Sequence, residues 1–168
     1  MKTTTFLNNK VIIALSLLMV SFIGYAQQSE TFTNPNLTNT FTVPNGVTTV
    51  AAEVWGAGGK GGSRTNTFTT GGGGGGAYAK RATILVLSGT TYNVEVGRGS
   101  TNTLAGGDSW FMDALTVLAK GGNTVANNST TGANGGSAIG SIGDLGFVFA
   151  GGRGSNSSSN NSSGDSGG

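Results

Sequence analysis

The side chains that most enzymes use for nucleophilic and metal chemistry are missing from this sequence. Its 168 residues include no histidine and no cysteine. A Ser–His–Asp triad, a cysteine nucleophile, a His/Cys metal site and a disulfide framework are therefore excluded. Five acids remain as candidates for a pair of the glycosidase kind: Glu53, Glu95, Asp108, Asp113 and Asp144. We expect them on outward strand and turn positions, which leaves a hydrolase that uses only carboxylates as an alternative.

Two glycine-containing motifs imitate motifs of known enzymes. Residues 164–168 spell GDSGG, which surrounds the nucleophile of trypsin-like proteases, but no histidine is present to act as the base. Residues 56–61 fit G-x-G-x-x-G, but no helix is predicted after them, and a chain with 32 glycines matches this pattern by chance. We therefore predict a protein that is not an enzyme and that needs no cofactor or metal.

The amino-terminal segment has the pattern of a secretory signal peptide. Lys2 and Lys10 precede an unbroken run of apolar and small residues at positions 11–20. Gly24 and Ala26 supply small residues at −3 and −1 of a cleavage site after Ala26. The apolar run is short for a bilayer span, so cleavage is favoured over an uncleaved anchor. The expectation is export from a bacterium-like cell, to the exterior or the cell surface, with no membrane span left after cleavage.

The predicted cleavage changes how the charge is interpreted. Of 9 Lys and Arg residues, two lie within residues 1–26, whereas all 7 Asp and Glu residues follow that segment. The remaining seven bases and seven acids cancel, so the formal charge of +2 belongs to the signal peptide. A basic surface for nucleic acid is not supported.

Short segments rich in β-branched and aromatic residues predict strands at 38–43, 47–55, 77–87, 91–96, 108–112 and 115–119. Turn signals at residues 44–46 and 88–89 predict two hairpins. Alternation in the second strand places Val54 on one face and Glu53 and Trp55 on the other. In the third strand, regular alternation places Tyr78 and Ile84 on one face and Ala79 on the opposite face. No helical period follows residue 26.

These signals predict an all-β fold, with short antiparallel hairpins in a sandwich-like sheet and extended glycine-rich segments. The predicted organisation is a lead-in at 27–37, a glycine-rich β domain at 38–154 and a low-complexity tail at 155–168. The Ser, Asn and Gly content of the tail predicts disorder, and its ending within low-complexity sequence suggests truncation.

The glycine tracts allow two interpretations. They are either flexible linkers between strands or extended rods of the polyproline II type, packed side by side. Glycine permits the second because backbones without side chains can approach closely enough to exchange hydrogen bonds. We favour packed rods for residues 56–154, since the tracts end abruptly at strongly patterned strands.

The large aromatic residues also allow two interpretations. They form either the core, which this composition can hardly do without, or a set that stacks against carbohydrate. We favour the core. The set comprises Trp55, Tyr78, Tyr92, Trp110, Phe111, Phe147 and Phe149.

The order and spacing of several motifs resemble those of a known family. The runs FTVPNGVTTVAAEVWGAGGKGG, GGGGGGAYAKRATILVLSGTTYNVEVGRGS, GGDSWF and VLAKGG occur in this order between residues 41 and 122. They resemble the glycine-rich domain of secreted proteins from Bacteroidetes-like bacteria and of phage tail-tip adhesins. The resemblance implies a β-rich domain with packed glycine tracts, and loops between rods that contact a receptor. Residues 63–70 depart from the pattern because they are not rich in glycine.

Polar loops between glycine tracts are the predicted contact sites, because recognition usually resides in loops on a rigid scaffold. The candidates are Arg64, Asn66, Phe68, Asn127, Asn128 and Thr130. The leading hypothesis is a structural or adhesive module of a surface or extracellular protein, with surface glycans or other surface and matrix proteins as partners. The alternative is an ice- or surface-binding protein that uses Thr-x-Thr rows at 38–42, 65–69 and 101–103.

Overall fold

The computed structural model describes residues 28–64 and 69–157. The chain divides into two compact units, Met1–Thr31 and Phe32–Gly168, and every strand of the described residues lies in the second. The predicted signal peptide at 1–26, its cleavage site and residues 158–168 of the predicted tail lie outside the described residues. The described residues contain no helix that is long and apolar enough to cross a membrane.

The described part of the chain is all-β and forms two antiparallel sheets, which confirms the predicted fold class. The first sheet has the strand order β1-β4-β5-β6 and the second has the order β2-β3-β7. Contacts of β2 and β3 with β6, and of β2 with β5, place the sheets face to face. The strands are β1 (Asn39–Thr42), β2 (Thr49–Trp55), β3 (Tyr78–Leu85), β4 (Thr91–Glu95), β5 (Ser109–Phe111), β6 (Val117–Ala119) and β7 (Val148–Phe149).

The two predicted turns exist, but they do not close hairpins as predicted. β1 pairs with β4 and β2 pairs with β3, so each turn connects one sheet to the other. The turns support one another, because the Gly46 amide donates to the Ser88 hydroxyl (2.9 Å) and the Gly89 amide donates to the Val43 carbonyl (2.9 Å). A local turn signal specifies a reversal of the chain but not the partner of the strand that follows it.

The core lies between the two sheets and consists mainly of valine and alanine side chains, with Ile84 and Phe111 as its larger members. Its largest fully buried members are Val43 and Val117. Alternation in β2 is as predicted, with Val54 buried and Glu53 and Trp55 exposed. The buried cluster comprises Val43, Val54, Ala79, Ile84, Val86, Phe111, Val117 and Ala119.

A β-bulge corrects the predicted faces of β3. Val50 pairs with Ile84 but Ala52 pairs with Arg81, so β3 contains one residue more than β2 in this stretch. Ala79 (0% exposed) and Ile84 (4% exposed) are five positions apart and would face opposite ways in a regular strand. The extra residue turns both of them to the core and leaves Tyr78 on the outer face.

The glycine tracts are packed extended segments, as the favoured interpretation predicted. We call them rod 1 (residues 56–62), rod 2 (71–77), rod 3 (120–126), rod 4 (130–136) and rod 5 (151–157). Rod 1 donates to rod 2 at every third residue: Gly56 to Ala77 (2.9 Å), Gly59 to Gly74 (2.8 Å) and Gly62 to Gly71 (3.1 Å). Three residues per turn is the period of a polyproline II helix.

Rod 2 occupies the centre of this arrangement. Its Gly74 amide donates to Asn123 of rod 3 (2.9 Å), and its Gly75 amide donates to Gly152 of rod 5 (2.9 Å). It accepts from rod 4, where the Gly136 amide donates to the Gly75 carbonyl (2.8 Å). Rod 2 is therefore hydrogen-bonded to all four other rods. These bonds give partners to backbone N–H and C=O groups that do not belong to any β-strand.

Close approach explains why these rods consist of glycine. An added Cβ atom at Gly74 would lie 2.5 Å from the carbonyl carbon of Asn134 and 2.8 Å from the nitrogen of Gly135. Real Cβ atoms essentially never approach within 3.0 Å of another heavy atom. Equivalent overlaps with backbone atoms occur at Gly56, Gly59, Gly73, Gly76, Gly122, Gly132, Gly135, Gly151 and Gly154.

The hydrogen bonds of rod 5 continue past residue 154, where the sequence predicted the end of the β domain. The Ser155 carbonyl accepts from the Gly72 amide (2.9 Å), and the Ser157 amide donates to the Thr130 carbonyl (2.8 Å). The Asn156 side chain accepts from the Gly132 amide (2.9 Å). Residues 155–157 therefore belong to rod 5, because a polar composition does not prevent a segment from joining a rod through its backbone.

Candidate functional site

The loops that follow rods 1 and 3 form one neighbouring pair at the rod ends. The Asn127 side-chain oxygen accepts from the Ser63 amide (3.0 Å), and the Asn128 amide donates to the Ser63 carbonyl (3.1 Å). Asn128 adopts a left-handed conformation with φ 61°, which asparagine tolerates better than most residues. Arg64, Asn127 and Asn128 are exposed, so the structure brings together three of the predicted contact residues.

Thr130 belongs to the neighbouring end of rod 4. Its side chain is exposed, while its carbonyl accepts from Ser157 of rod 5. Asn66 and Phe68, the other two predicted contact residues, lie outside the described residues. That these loops bind anything stays a prediction.

A row of three aromatic rings lies on the outer face of the sheet β2-β3-β7, although these residues were predicted to belong to the core. Trp55 is the cross-strand partner of Tyr78, and Tyr78 is the partner of Phe149. The Trp55 and Tyr78 ring centroids are 5.2 Å apart at 53°, and those of Tyr78 and Phe149 are 6.1 Å apart at 30°. Trp55 is 61% exposed and Phe149 is 57% exposed. We call these three residues the aromatic row.

The predicted core role is thus wrong for Trp55, Phe147 and Phe149, all of which are exposed. It is correct for Phe111, which is buried, and Tyr92 packs against the same cluster. The reason is the alternation of β2, in which Trp55 shares its face with Glu53. That signal was present in the sequence and outweighs the general tendency of tryptophan to be buried.

An ion pair borders the aromatic row on the same face. Lys80 donates to Glu53 at 2.8 Å, and the Lys80 ammonium lies 5.9 Å from the centre of the Phe147 ring. The hydrogen bond from Lys80, and then one from the Tyr78 hydroxyl, lower the pKa of the Glu53 carboxyl below its usual value. The same pairing raises the pKa of Lys80. The face therefore carries both charges at neutral pH and has hydrogen-bonding groups beside its rings.

Three of the acids considered for a carboxylate pair make structural contacts, whereas Glu95 is exposed at the end of β4. Asp108 binds the Lys120 ammonium and accepts from the Gly121 amide (2.9 Å). Asp113 accepts from the amides and hydroxyl of the turn at residues 115–116, and the Leu115 amide is the main cause of its lowered pKa. Asp144 accepts from the Ala82 amide at the β-bulge (2.7 Å). Among these described contacts, none joins two carboxylates.

The Thr-x-Thr rows do not share one kind of surface. Thr40 and Thr42 are exposed on β1, and the Thr42 hydroxyl lies 2.9 Å from that of Thr91 on β4. Thr69 is buried, whereas Thr101 and Thr103 lie in a loop. A flat array built from all three rows is therefore not formed by the described residues.

Comparison with protein families gives a match over most of the chain. A family model described as a glycine-rich domain matches residues 33–168. A search of curated proteins found no match. The matched stretch contains every strand and rod described above.

Proposed function

Because the chain belongs to the glycine-rich domain family, we propose that it is an exported, non-enzymatic module with a structural and adhesive role at a cell surface or in extracellular material. Its partners are surface glycans or other surface and matrix proteins. The relation to secreted proteins of Bacteroidetes-like bacteria and to phage tail-tip adhesins, which the sequence resembles, is part of this proposal.

The observation that carries the proposal is the central position of rod 2. Backbone hydrogen bonds link it to four neighbouring rods, and the glycines permit contacts that no other residue would allow. A segment so constrained cannot serve as a flexible tether. It supports a stiff platform that holds polar loops at the rod ends.

The mechanism follows from the arrangement of the loops on this platform. Arg64, Asn127 and Thr130 are exposed on a scaffold whose bases and acids cancel after residue 26. Contacts by such loops are individually weak. Repetition of the module on a surface would make them strong in sum, because linked sites raise one another's effective concentration.

Hydrogen exchange on the full chain tests the structural half of the proposal. We expect slow exchange of the Gly59, Gly74 and Gly75 amides, each of which donates to another rod. The Gly152 amide, which has no acceptor in the described ranges, should exchange fast and serves as the internal control. Random-coil exchange at all four positions would refute the stiff platform.

Export and adhesion need separate measurements. Mass spectrometry of the secreted chain should give an amino terminus at Gln27, and an intact residue 1–26 segment would contradict the predicted export signal. A cell-binding assay with the purified chain tests adhesion. Absence of binding would refute the adhesive half and leave the structural half in place.

A further inference from the structure

We propose that the outer face of β2-β3-β7 is a binding site for a neutral polysaccharide, whose sugar rings stack on Trp55, Tyr78 and Phe149. This inference rests on the proposed adhesive function, names the class of its glycan partner and adds a second contact surface. The site is separate from the polar loops at the rod ends.

The first argument is the chemistry of the face. Pyranose rings present apolar C–H groups on their faces and hydroxyl groups around their edges. The aromatic row offers ring surface for the former, with Trp55 61% and Phe149 57% exposed. Glu53 and Lys80 offer an acceptor and donors for the latter, with side chains 42% and 30% exposed.

The second argument is preorganisation. Strand pairing sets the Trp55–Tyr78 and Tyr78–Phe149 neighbours, so the three rings occupy adjacent positions across the sheet before any ligand arrives. Centroid distances of 5.2 Å and 6.1 Å are comparable to the repeat of one sugar along an extended β-linked chain. A ligand that stacks on prearranged rings avoids the entropy cost of ordering them.

The third argument separates a glycan from a protein partner. A protein that covered this face would have to desolvate the exposed Glu53–Lys80 pair, and burying an ion pair is costly. Sugar hydroxyls can instead replace the water around both charges with hydrogen bonds. Because Glu53 pairs with Lys80, and Arg81 lies 3.7 Å from Asp144, the face has no excess charge to attract an ionic polymer.

Affinity electrophoresis of the full chain tests the proposal. The gels contain hydroxyethylcellulose, mixed-linkage β-glucan or xylan, with dextran as an α-linked comparison. We expect retardation by at least one β-linked polymer, and about tenfold weaker binding for Trp55→Ala and Phe149→Ala. Leu85→Ala is the matched control, because it removes an exposed apolar side chain (80% exposed) from the far end of β3.

Several results would overturn the site. Wild-type protein that none of the polymers retards, or equal retardation of wild type and Trp55→Ala, would refute it. Sedimentation that shows a dimer which Trp55→Ala dissociates, without polysaccharide binding, would assign the face to a second copy of the chain. Circular dichroism spectra that match wild type are expected for both variants, because the replaced side chains are exposed.

The two proposals can fail independently. Equal retardation of wild type and Trp55→Ala in the gels, with intact binding to cells, would refute the polysaccharide site while the adhesive function stands. Random-coil exchange in the rods would refute the platform whatever the gels show.

Discussion

Gly151 and Gly152 are adjacent residues of rod 5, and substitution by alanine should destabilise the fold at the first position but not at the second. A Cβ atom at Gly151 would lie 2.6 Å from the carbonyl carbon of Gly75 and 2.6 Å from the oxygen of Gly76, and closer still to the Gly75 oxygen. These are backbone atoms, which no rotamer change can move aside. A Cβ atom at Gly152 would meet no described heavy atom within 4 Å.

The expected magnitudes follow from these contacts. Overpacking costs about 1–3 kcal/mol where side chains can yield, so Gly151→Ala should reduce the free energy of unfolding by about 3 kcal/mol or more. Displacement of the rods would also weaken two hydrogen bonds, from the Gly151 amide to the Gly136 carbonyl and from the Gly75 amide to the Gly152 carbonyl, both 2.9 Å. Gly152→Ala should be neutral or stabilise by up to about 1 kcal/mol, because alanine restricts the unfolded chain more than glycine does.

Urea unfolding of both variants, followed by tryptophan fluorescence, measures the difference in the free energy of unfolding. Gly59→Ala and Gly58→Ala provide a second matched pair in rod 1. A Cβ atom at Gly59 would lie 2.8 Å from the Gly122 oxygen, whereas one at Gly58 would lie 3.8 Å from the Gly74 oxygen. Stabilities of Gly151→Ala and Gly152→Ala within about 1 kcal/mol of each other would refute the packing argument.

Three further predictions concern acidic side chains. Asp113→Ala should lower the free energy of unfolding by about 1 kcal/mol, because one carboxylate oxygen accepts three hydrogen bonds in its turn; an unchanged urea midpoint would contradict this. Asp144→Ala should speed hydrogen exchange of the Ala82 amide, because that amide donates a hydrogen bond to the Asp144 carboxylate (2.7 Å). Equal exchange rates in wild type and variant would contradict this role of Asp144. The lowered pKa of Glu53 means that its pairing with Lys80 stabilises the fold fully above the usual value of 4.5 and is lost as pH falls through the lower folded value. The stability difference between wild type and Glu53→Gln should therefore shrink on acidification, and a constant difference down to pH 3 would refute this.

The positions of β1 to β6 and several strand faces were predictable because they depend on local pattern, whereas the two-residue strand β7 was not predicted. Val54 is buried and Glu53 exposed, as the period of two in β2 requires. Ile84 and Tyr78 could not be assigned this way, since a bulge of one residue reverses the alternation in β3. Nothing in the local sequence marks that bulge, which Asp144 supports from 62 positions away.

The candidate sites likewise include one that was predictable from the sequence and one that depends on tertiary contacts. Arg64 and Asn127 were predicted as contact residues because they lie in polar loops between glycine tracts. They are exposed at the rod ends, and binding by them stays a prediction. The aromatic row was assigned to the core because burial was inferred from residue type. Its three members come from separate strands, and only the pairing of β3 with both β2 and β7 brings their rings together.

By itself, the sequence determined the fold class, the family and the exclusion of histidine and cysteine chemistry, because these depend on composition, local periodicity and motif order. The tertiary structure alone decided which strands pair and which rods touch. Turn residues specify where the chain reverses, but β1 pairs with β4 through residues that are about 50 positions apart in the sequence. Glycine likewise permits two backbone segments to approach closely but does not specify which segments do so. The central position of rod 2 therefore arises only when all five rods pack together.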